Sequence, residues 1–253
     1  MLGPLSYIGG KRVLAKRVIE MLPIHTTYVE PFAGGAQVFF HKVPSRVEVL
    51  NDLDSEIVNF LRVCQRHYEE LLRCLRFSVV SRSIYELLHA TAKSTLTDIE
   101  KAARFLYLQK NSFAGLVRKQ NYASHVIQPP SFNPDRLPEL IESTHRRLTR
   151  VQLECLPYEV VLARYDRQQT VFFLDPPYWG KCLYTHNFAE DDFKALERRL
   201  RSLTGQFILT LNDLPETREL FNDFHVQPVQ LSYTSQKVAG RRYGELIITN
   251  FKP

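Results

Sequence analysis

Seven short segments rich in Val, Ile, Leu, Phe and Tyr recur along the chain, and each has the length and composition typical of a β-strand. Their sequences are TYVEPF, RVEVLND, VQLECL, TVFFLDP, QFILTLND, FHVQPVQLSY and GELIITNF. Between several of them, apolar residues recur at helical spacing, over residues 11–21, 55–75 and 190–203. Strands that alternate with helices predict an α/β fold whose largely parallel sheet is covered by helices on both faces.

A mostly helical stretch interrupts this alternation. Residues 83–86 and 97–100 both match the capping-box pattern that begins helices, and helical spacing follows each of them. We therefore predict a helical domain at residues 61–149. It would be inserted into an α/β domain that residues 1–60 and 150–253 form together.

The net charge of the chain is concentrated in this helical stretch. The 253 residues carry a formal net charge of +6 at pH 7, and residues 61–150 alone hold 15 Lys and Arg against 8 Asp and Glu. A solvated helical surface can carry such an excess without any partner. A phosphate backbone also selects a cationic region, because binding releases counterions from the nucleic acid. The charge alone leaves both interpretations open.

The spacing of cysteine and histidine argues against a metal centre. The four cysteines are scattered, without a C-x-x-C pair, and the eight histidines show no H-E-x-x-H pattern. We therefore expect neither a bound metal nor a disulfide framework. No stretch is apolar over the length that a membrane span needs, and no leader-like segment opens the chain. The expectation is a soluble cytoplasmic protein without membrane contact.

One glycine pair indicates a nucleotide-like ligand. In YVEPFAGGAQVFF, Gly34 and Gly35 lie between a predicted strand and a predicted helix. Glycine there lets the backbone approach a ligand, and the helix offers free N–H groups. Asp52 ends the next strand, at a spacing where a carboxylate can bind both ribose hydroxyls of an adenosine. The structural alternative is a tight strand-to-helix turn with a helix N-cap at Asp52 or Asp54.

The other glycine pair, in YIGGKR, does not match a P-loop. A P-loop requires glycine where this chain has Leu5, and Ser or Thr where it has Arg12. A kinase or ATPase is therefore disfavoured. Lys11 either points from the start of a helix at an anionic ligand group or is a solvated charge.

The segment FFLDPPYWG ends an apolar strand in a way that suggests catalysis. Pro176 and Pro177 have no N–H to continue a ladder, so Asp175 and the Pro176 carbonyl can point together into the crevice beyond the strand ends. Two adjacent acceptors suit the amino group of adenine, whose nitrogen can attack a sulfonium methyl once both hydrogens are accepted. Tyr178 would stack on a base swung out of its helix. The structural alternative is a strand stopped by prolines above buried aromatics.

Six segments together resemble the Dam-like family of DNA adenine-N6 methyltransferases. They are YIGGKR, VEPFAGGAQVFF, NDLDSEI, RFLYLQKNSFAGLVRKQN, DPPYWG and GRRYGELIITN, in this order, and they span nearly the whole chain. The resemblance implies a Rossmann-like S-adenosylmethionine-dependent methyltransferase domain with an inserted, mostly helical target-recognition domain. It implies methyl transfer from S-adenosylmethionine to a flipped-out adenine in double-stranded DNA, giving S-adenosylhomocysteine without a metal. We expect a monomer in solution.

The resemblance also implies roles for individual residues. The donor would be bound by Tyr7, Lys11, Glu30, Pro31, Phe32, Ala33, Gly34, Asp52 and Asp175. The adenine would be activated and stacked by Asp175, Pro176, Pro177 and Tyr178. From their charge rather than from the resemblance, Lys237, Arg241 and Arg242 in a predicted hairpin near the C-terminus would contact DNA phosphates, and an ordinary charged turn is the alternative. The resemblance places the other DNA contacts at Leu116, Arg118 and Lys119. In the last set, Leu116 resembles the wedge that fills the opened stack, and Arg118 resembles the arginine that reads a guanine edge.

Several alternatives stay open at the level of sequence. Leu116 is also consistent with core packing, and Arg118 with a solvated charge. A methyltransferase that acts on RNA or on a protein amide, or a catalytically silent DNA-binding homologue, would share much of the pattern. Ala114 stands where GATC-recognising relatives carry asparagine, which argues against GATC as the recognition sequence. A phage-encoded enzyme, a restriction partner and a housekeeping methylase would look alike.

Overall fold

The computed structural model describes residues 3–5, 11–112, 121–123, 129–181, 185–231 and 243–252. In this part of the chain, seven strands form one sheet in the order β3-β2-β1-β4-β5-β7-β6. The strands are β1 (Thr27–Glu30), β2 (Val47–Asn51), β3 (Gln152–Glu154), β4 (Thr170–Leu174), β5 (Gln206–Asn212), β6 (His225–Leu231) and β7 (Tyr243–Thr249). They coincide with the seven predicted segments, so the strand prediction is confirmed.

The sheet is mainly parallel. Strands β3, β2, β1, β4 and β5 run in one direction, and β7 is antiparallel to both β5 and β6. In the centre, Val29 lies beside Val49 on one side and Phe172 on the other, and all three side chains are fully buried. The strand order changes direction at β1, whose neighbours are β2 and β4. This Rossmann-like α/β topology places a ligand crevice at the carboxyl ends of those strands.

Helices cover both faces of the sheet, as the alternation of elements predicts. They are α1 (Lys11–Met21), α2 (Gln37–His41), α3 (Ser55–Arg66), α4 (Tyr68–Leu75), α5 (Arg82–Ala90), α6 (Asp98–Asn111), α7 (Leu137–Leu148), α8 (Tyr158–Tyr165), α9 (Glu190–Arg201) and α10 (Pro215–Leu220). Helices α1 to α7 bury their apolar residues in one cluster. Helices α8 and α9 and the end of α10 contribute to a second cluster on the opposite face.

Two details of the helix prediction are wrong. The single helix expected over residues 55–75 is divided at His67, whose φ of −137° is not helical. On either side of this bend, both halves pack against α6 and α7. The capping box expected at residues 83–86 is absent, because α5 already begins at Arg82 and Ser83 lies in its first turn. The other predicted box is confirmed, with Thr97 at the N-cap of α6.

The helical part of the chain shares its core with the sheet. Helix α3 runs through the predicted boundary between residues 60 and 61, and its buried residues include Phe60 and Leu61 on either side of that boundary. The same helix packs against α6 and α7. The division into a catalytic domain and a recognition domain therefore stays a prediction based on sequence, and the two parts meet over a continuous apolar surface.

Candidate functional site

A cavity of about 540 Å³ opens at the carboxyl ends of β1, β2, β3 and β4. Its size falls in the range of small-molecule sites. The carboxyl groups on its walls belong to Glu30, Asp52, Asp54, Glu159, Asp175 and Asp192. None of the described residues that line it is Lys or Arg. Such walls favour a ligand with positive charge and disfavour a polyphosphate.

A tight loop after β1 forms one wall of the cavity. The loop turns because Gly34 has a φ of 48° and Ala36 a φ of 47°, in the left-handed region that favours glycine. The N–H of Ala33 donates to the carbonyl of Asn51 at 2.8 Å, which ties the loop to the end of β2. Helix α2 begins directly afterwards at Gln37. The sequence prediction of a glycine turn between a strand and a helix is thus confirmed.

Asp52 lies where the loop and β2 meet. Its Oδ2 accepts the N–H of Gly34 at 2.8 Å, and its Oδ1 accepts the N–H of Asp54 at 2.9 Å. Burial raises the pKa of Asp52 to about 6, although these two hydrogen bonds lower it. The N-cap of α3 is Asp54, which accepts the N–H of Glu56. Asp54 therefore caps the helix, while Asp52 holds the glycine loop and lines the cavity.

Asn51 is a structural residue of this site that the sequence patterns did not single out. It is buried, and its Nδ2 donates to the carbonyl of Pro31 at 2.8 Å and to that of Leu156 at 3.0 Å. Its Oδ1 accepts the N–H of Leu156 at 2.9 Å. One amide group thus joins the loops that follow β1, β2 and β3. An amide residue at the carboxyl end of a buried strand is the signal that could have identified it.

Glu30, at the end of β1, is buried and contributes to the cavity wall. Its Oε1 accepts the hydroxyl of Tyr28 at 2.6 Å and the N–H of Phe39 at 2.8 Å. Burial raises the pKa of Glu30 to about 8, and the carboxyl of Asp175 raises it further, against these hydrogen bonds and Lys42, which lower it. The protein therefore holds a protonated carboxyl in this wall at neutral pH.

We expect this proton to make the stability of the protein fall as the pH rises. Between pH 4.5 and about 8 the folded protein keeps the proton of Glu30, while the unfolded chain has released it. The free energy of unfolding should then decrease with pH, by up to about 1.4 kcal/mol per pH unit from this group. Glu30→Gln should flatten the decrease. Thermal unfolding of the wild type and of Glu30→Gln from pH 5 to 9 measures this difference. If stability depends on pH in the same way in both proteins, the shifted pKa is contradicted.

The segment after β4 places Asp175 at the cavity, half-buried. The hydroxyl of Thr210, a fully buried residue of β5, donates to Oδ1 of Asp175 at 2.9 Å. Parallel pairing of Leu174 with Leu209 brings Thr210 to this position. Pro176 is buried, and Pro177 lines the cavity. The sequence patterns did not identify Thr210, whose only signal is a hydroxyl inside an apolar strand.

A second side chain of β5 holds the backbone beyond the prolines. The amide of Asn212 accepts the N–H of Trp179 at 3.0 Å and donates to its carbonyl at 3.1 Å. The N–H of Lys181 donates to the carbonyl of Tyr178 at 3.0 Å, and Gly180 completes this turn with a φ of 70°. Tyr178 is half-buried beside the second apolar cluster. The strand end is therefore fixed by β5 rather than left as an open loop.

Aromatic side chains form a further part of the cavity wall. The ring of Phe32 lies 5.3 Å from that of Tyr158 and 5.7 Å from that of Phe188, measured between centroids. All three residues line the cavity. One face of Trp179 stacks on Phe193 at 4.4 Å, so this ring packs into the apolar cluster on that face of the sheet. The three rings are tilted against one another by 34° to 74°, and this aromatic triangle offers apolar ring faces and edges to a ligand ring.

The structure leaves part of the predicted site untested. Lys11 begins α1, but its side chain is outside the described residues. The other predicted positions outside the described residues are Tyr7, Leu116, Arg118, Lys119, Lys237, Arg241 and Arg242. The described residues do bring Glu30, Asp52 and Asp175 to one cavity.

Contacts on both sides of the predicted recognition segment are described. Ser112 and Tyr122 form an isolated antiparallel bridge, and the N–H of Ala123 donates to the carbonyl of Asn111 at 2.8 Å. The hydroxyl groups of Tyr85 and Ser112 share a hydrogen bond of 3.0 Å. Helices α5 and α6 thus hold the two points between which Leu116 and Arg118 lie in the sequence.

The described residues provide neither a cluster of metal ligands nor a membrane-spanning helix. No group of three or more His, Cys, Asp and Glu side chains is arranged there to hold a metal ion. No helix in the described ranges has both the length and the apolar character required to cross a membrane.

The chain is similar to known proteins. A family model described as D12 class N6 adenine-specific DNA methyltransferase matches residues 7–235. The Type II methyltransferase M1.LlaDCHI of Lactococcus lactis subsp. cremoris is 26% identical over 97% of this chain and 94% of its own length. The DNA adenine methylase of Vibrio cholerae serotype O1 is 24% identical over 98% of this chain and 95% of its own length. An rRNA methylase structure from Streptococcus thermophilus aligns with 11% identity and a TM-score of 0.42, covering 93% of this chain and 94% of that chain.

Proposed function

Because the chain belongs to the D12 class of N6 adenine-specific DNA methyltransferases, we propose that its cavity binds S-adenosylmethionine and that Asp175 acts on the target adenine. The fit of the cavity to this donor supports the proposal. S-adenosylmethionine carries a sulfonium and an ammonium group, which suit walls rich in carboxyl groups. Its adenine ring suits the aromatic triangle around Phe32. Its ribose hydroxyls suit a carboxylate at the end of β2.

Asp52 and Glu30 would divide the binding of the donor between them. Asp52 would accept the ribose hydroxyls, since its carboxylate is fixed by the N–H groups of Gly34 and Asp54 before the ligand arrives. Glu30 would lose its proton when a cationic group of the donor enters the cavity, because a nearby positive charge favours the carboxylate. Pro31 to Gly34 would supply the backbone surface between them.

Asp175 would activate the adenine by accepting hydrogen bonds. The lone pair of the exocyclic nitrogen is delocalised into the base, and acceptance of both hydrogens by Asp175 and by the Pro176 carbonyl makes that nitrogen more electron-rich. The donor supplies a methyl group activated by positively charged sulfur. Thr210 holds the Asp175 carboxylate through its Oδ1. The same carboxylate can take up the proton that the nitrogen loses after transfer.

The adenine must leave the double helix to reach Asp175, and Tyr178 would stack on it there. The DNA contacts would come from Leu116, Arg118 and Lys119 in the helical part, and from the basic cluster Lys237, Arg241 and Arg242. Contacts from the other basic side chains to phosphate groups would position the duplex, and Arg118 would read the base sequence. We propose double-stranded DNA as the substrate and a monomer as the acting species.

Methyl transfer to unmethylated genomic DNA, followed by single-molecule sequencing of modified bases, tests this function. We expect N6-methyladenine within one short sequence motif, which would also supply the recognition sequence. Binding of S-adenosylhomocysteine is measured in parallel to show that the protein is folded and that the cavity is active. Donor binding without any methylated adenine would overturn the assignment of DNA as substrate.

Arg118→Ala should relax the choice of sequence more than it weakens total binding. A bidentate contact from arginine to guanine contributes about 1–3 kcal/mol of discrimination, which corresponds to roughly 5- to 150-fold. The measurement is methylation of duplexes that carry the recognised motif or single-base variants of it. Lys119→Ala is the matched control, because a phosphate contact should lower the rate on all duplexes alike. An equal loss on every duplex for Arg118→Ala would make Arg118 a phosphate contact too.

A further inference from the structure

Helix α2 has only five residues, from Gln37 to His41, and follows directly on the glycine loop. So short a helix is not stable by itself, and its position depends on contacts from the surrounding protein. Its middle residue, Phe39, touches the donor cavity through Glu30, because the N–H of Phe39 donates to Oε1 of Glu30 at 2.8 Å. Whatever fixes Phe39 therefore also fixes one wall of the cavity.

Arg147 holds Phe39 from the opposite side. It lies in the last turn of α7, in the helical part of the chain, and its guanidinium sits 3.6 Å from the centroid of the Phe39 ring. Its Nη2 donates to the carbonyl of Phe39 at 2.9 Å. The backbone of one residue thus donates to Glu30 on its N–H side and accepts from Arg147 on its carbonyl side.

Glu48 on β2 fixes the guanidinium of Arg147 in turn. Nη1 of Arg147 donates to Oε2 of Glu48 at 2.5 Å, and Nη2 donates to Oε1 at 2.9 Å. The side chain of Arg147 is 11% exposed and that of Glu48 is 5% exposed. Burial alone would raise the pKa of Glu48, but the hydrogen bonds from Arg147 and Lys42 outweigh it and hold that pKa below its usual value. The pair is therefore charged at neutral pH.

We propose that Arg147 is a positioning residue for the methyl-donor site, which acts through Phe39 on the carboxyl group of Glu30. The inference rests on the proposed function insofar as Glu30 binds the donor. It means that the donor site, although formed at the ends of the sheet strands, is completed by a side chain from the predicted recognition domain.

The chemistry of arginine explains why this residue type is needed. Its planar group donates in two directions at once, to Glu48 and to the carbonyl of Phe39, while its face stacks on the Phe39 ring. A lysine could pair with Glu48 as a point charge, but it could not keep all three contacts. Lys42 already occupies the other side of Glu48, where its Nζ donates to Oε1 at 2.6 Å.

The test compares donor binding and turnover in Arg147→Gln, Arg147→Lys and wild type. The dissociation constant for S-adenosylhomocysteine is measured by calorimetry without DNA, so the result does not depend on whether DNA is the substrate. We expect about a tenfold weaker donor complex for Arg147→Gln and a smaller loss, about threefold, for Arg147→Lys. The KM for S-adenosylmethionine should rise in the same proportion, with kcat at saturating donor within about twofold of wild type.

Arg146→Gln is the matched control. Arg146 is the neighbouring residue on α7. Its replacement by glutamine removes the same charge, and its side chain is 73% exposed in an ion pair with Glu142. Its donor affinity should stay at the wild-type value, and an equal loss would show that only the charge of α7 matters, which would overturn the proposal. The effect of Arg147→Gln should also disappear in a Glu30→Gln background, since the two residues act through one path.

If Arg147→Gln weakens donor binding in the Glu30→Gln background as much as it does in the wild-type protein, the path through Glu30 is overturned. Thermal unfolding shows which variants are folded. If Arg147→Gln does not fold, Arg147→Lys decides, and wild-type donor affinity in that folded variant would remove Arg147 from the donor site. If the Arg147 variants change donor affinity as expected but the protein methylates no DNA, the result contradicts only the choice of DNA as the substrate.

Discussion

Asp175→Ala is expected to abolish methyl transfer, and Asp175→Asn to lower its rate by about 10³-fold, the upper end of what one pre-organised electrostatic contact contributes. Asparagine keeps the size of the side chain and one acceptor oxygen for Thr210. It lacks the negative charge that makes the adenine nitrogen electron-rich, and it cannot take up the proton. DNA binding should persist in both variants, because neither change removes a basic residue.

Single-turnover transfer of a labelled methyl group to a duplex with the recognised motif measures this effect. Asp213→Asn serves as the control, because Asp213 also follows a strand of the sheet but forms an ion pair with Arg218 at 2.6 Å. The control variant should transfer methyl groups at close to the wild-type rate. Near-normal turnover in Asp175→Asn would remove Asp175 from the mechanism and leave the prolines with a structural role only.

The ends of the strands could be predicted from sequence because the signals there are local. Two prolines stop β4 after Asp175, and a glycine pair follows β1, whichever elements lie next to them. The partners of these residues could not be predicted in the same way. Thr210 meets Asp175 only because β4 and β5 pair in one particular register, over residues far apart in the sequence.

Arg147 illustrates the same limit for a charged residue. In the sequence it stands among Arg146, Arg150 and other basic positions, where a solvated charge is the natural interpretation. Its burial against Phe39 depends on where α7 lies relative to α2 and β2, which no periodicity in α7 encodes. The break at His67 has a similar cause, because local spacing favours one continuous helix and packing against α6 and α7 requires two.

Asp52→Ala should weaken donor binding by roughly 100-fold, since hydrogen bonds to a charged group contribute about 1.5–3 kcal/mol each. The change removes the proposed acceptor for two ribose hydroxyls. It also leaves the N–H of Gly34 without its acceptor, so the glycine loop loses a contact that shapes it before the donor binds. Asp52→Asn should lose less, because its amide oxygen can still accept from Gly34.

The pH dependence separates the charge of Asp52 from its structural contact. With a pKa of about 6, Asp52 is ionised at pH 7.5 and largely protonated at pH 5. The carboxylate is the better acceptor, so wild-type affinity for S-adenosylhomocysteine should fall as the pH drops through 6, towards tenfold weaker binding at pH 5. Because Glu30 would release its proton on donor binding from a pKa near 8, its own pH dependence is removed by comparing the two proteins in a Glu30→Gln background.

In Asp52→Asn this fall in affinity should be absent, because the amide does not titrate. Calorimetric titrations from pH 5 to 7.5 at constant ionic strength, with both proteins folded at each pH, distinguish the cases. A fall that persists in Asp52→Asn would assign the titration to another group in the cavity. If Asp52→Asn binds the donor as tightly as the wild-type protein at every pH, Asp52 only supports the glycine loop and the hydroxyls of the donor are bound elsewhere.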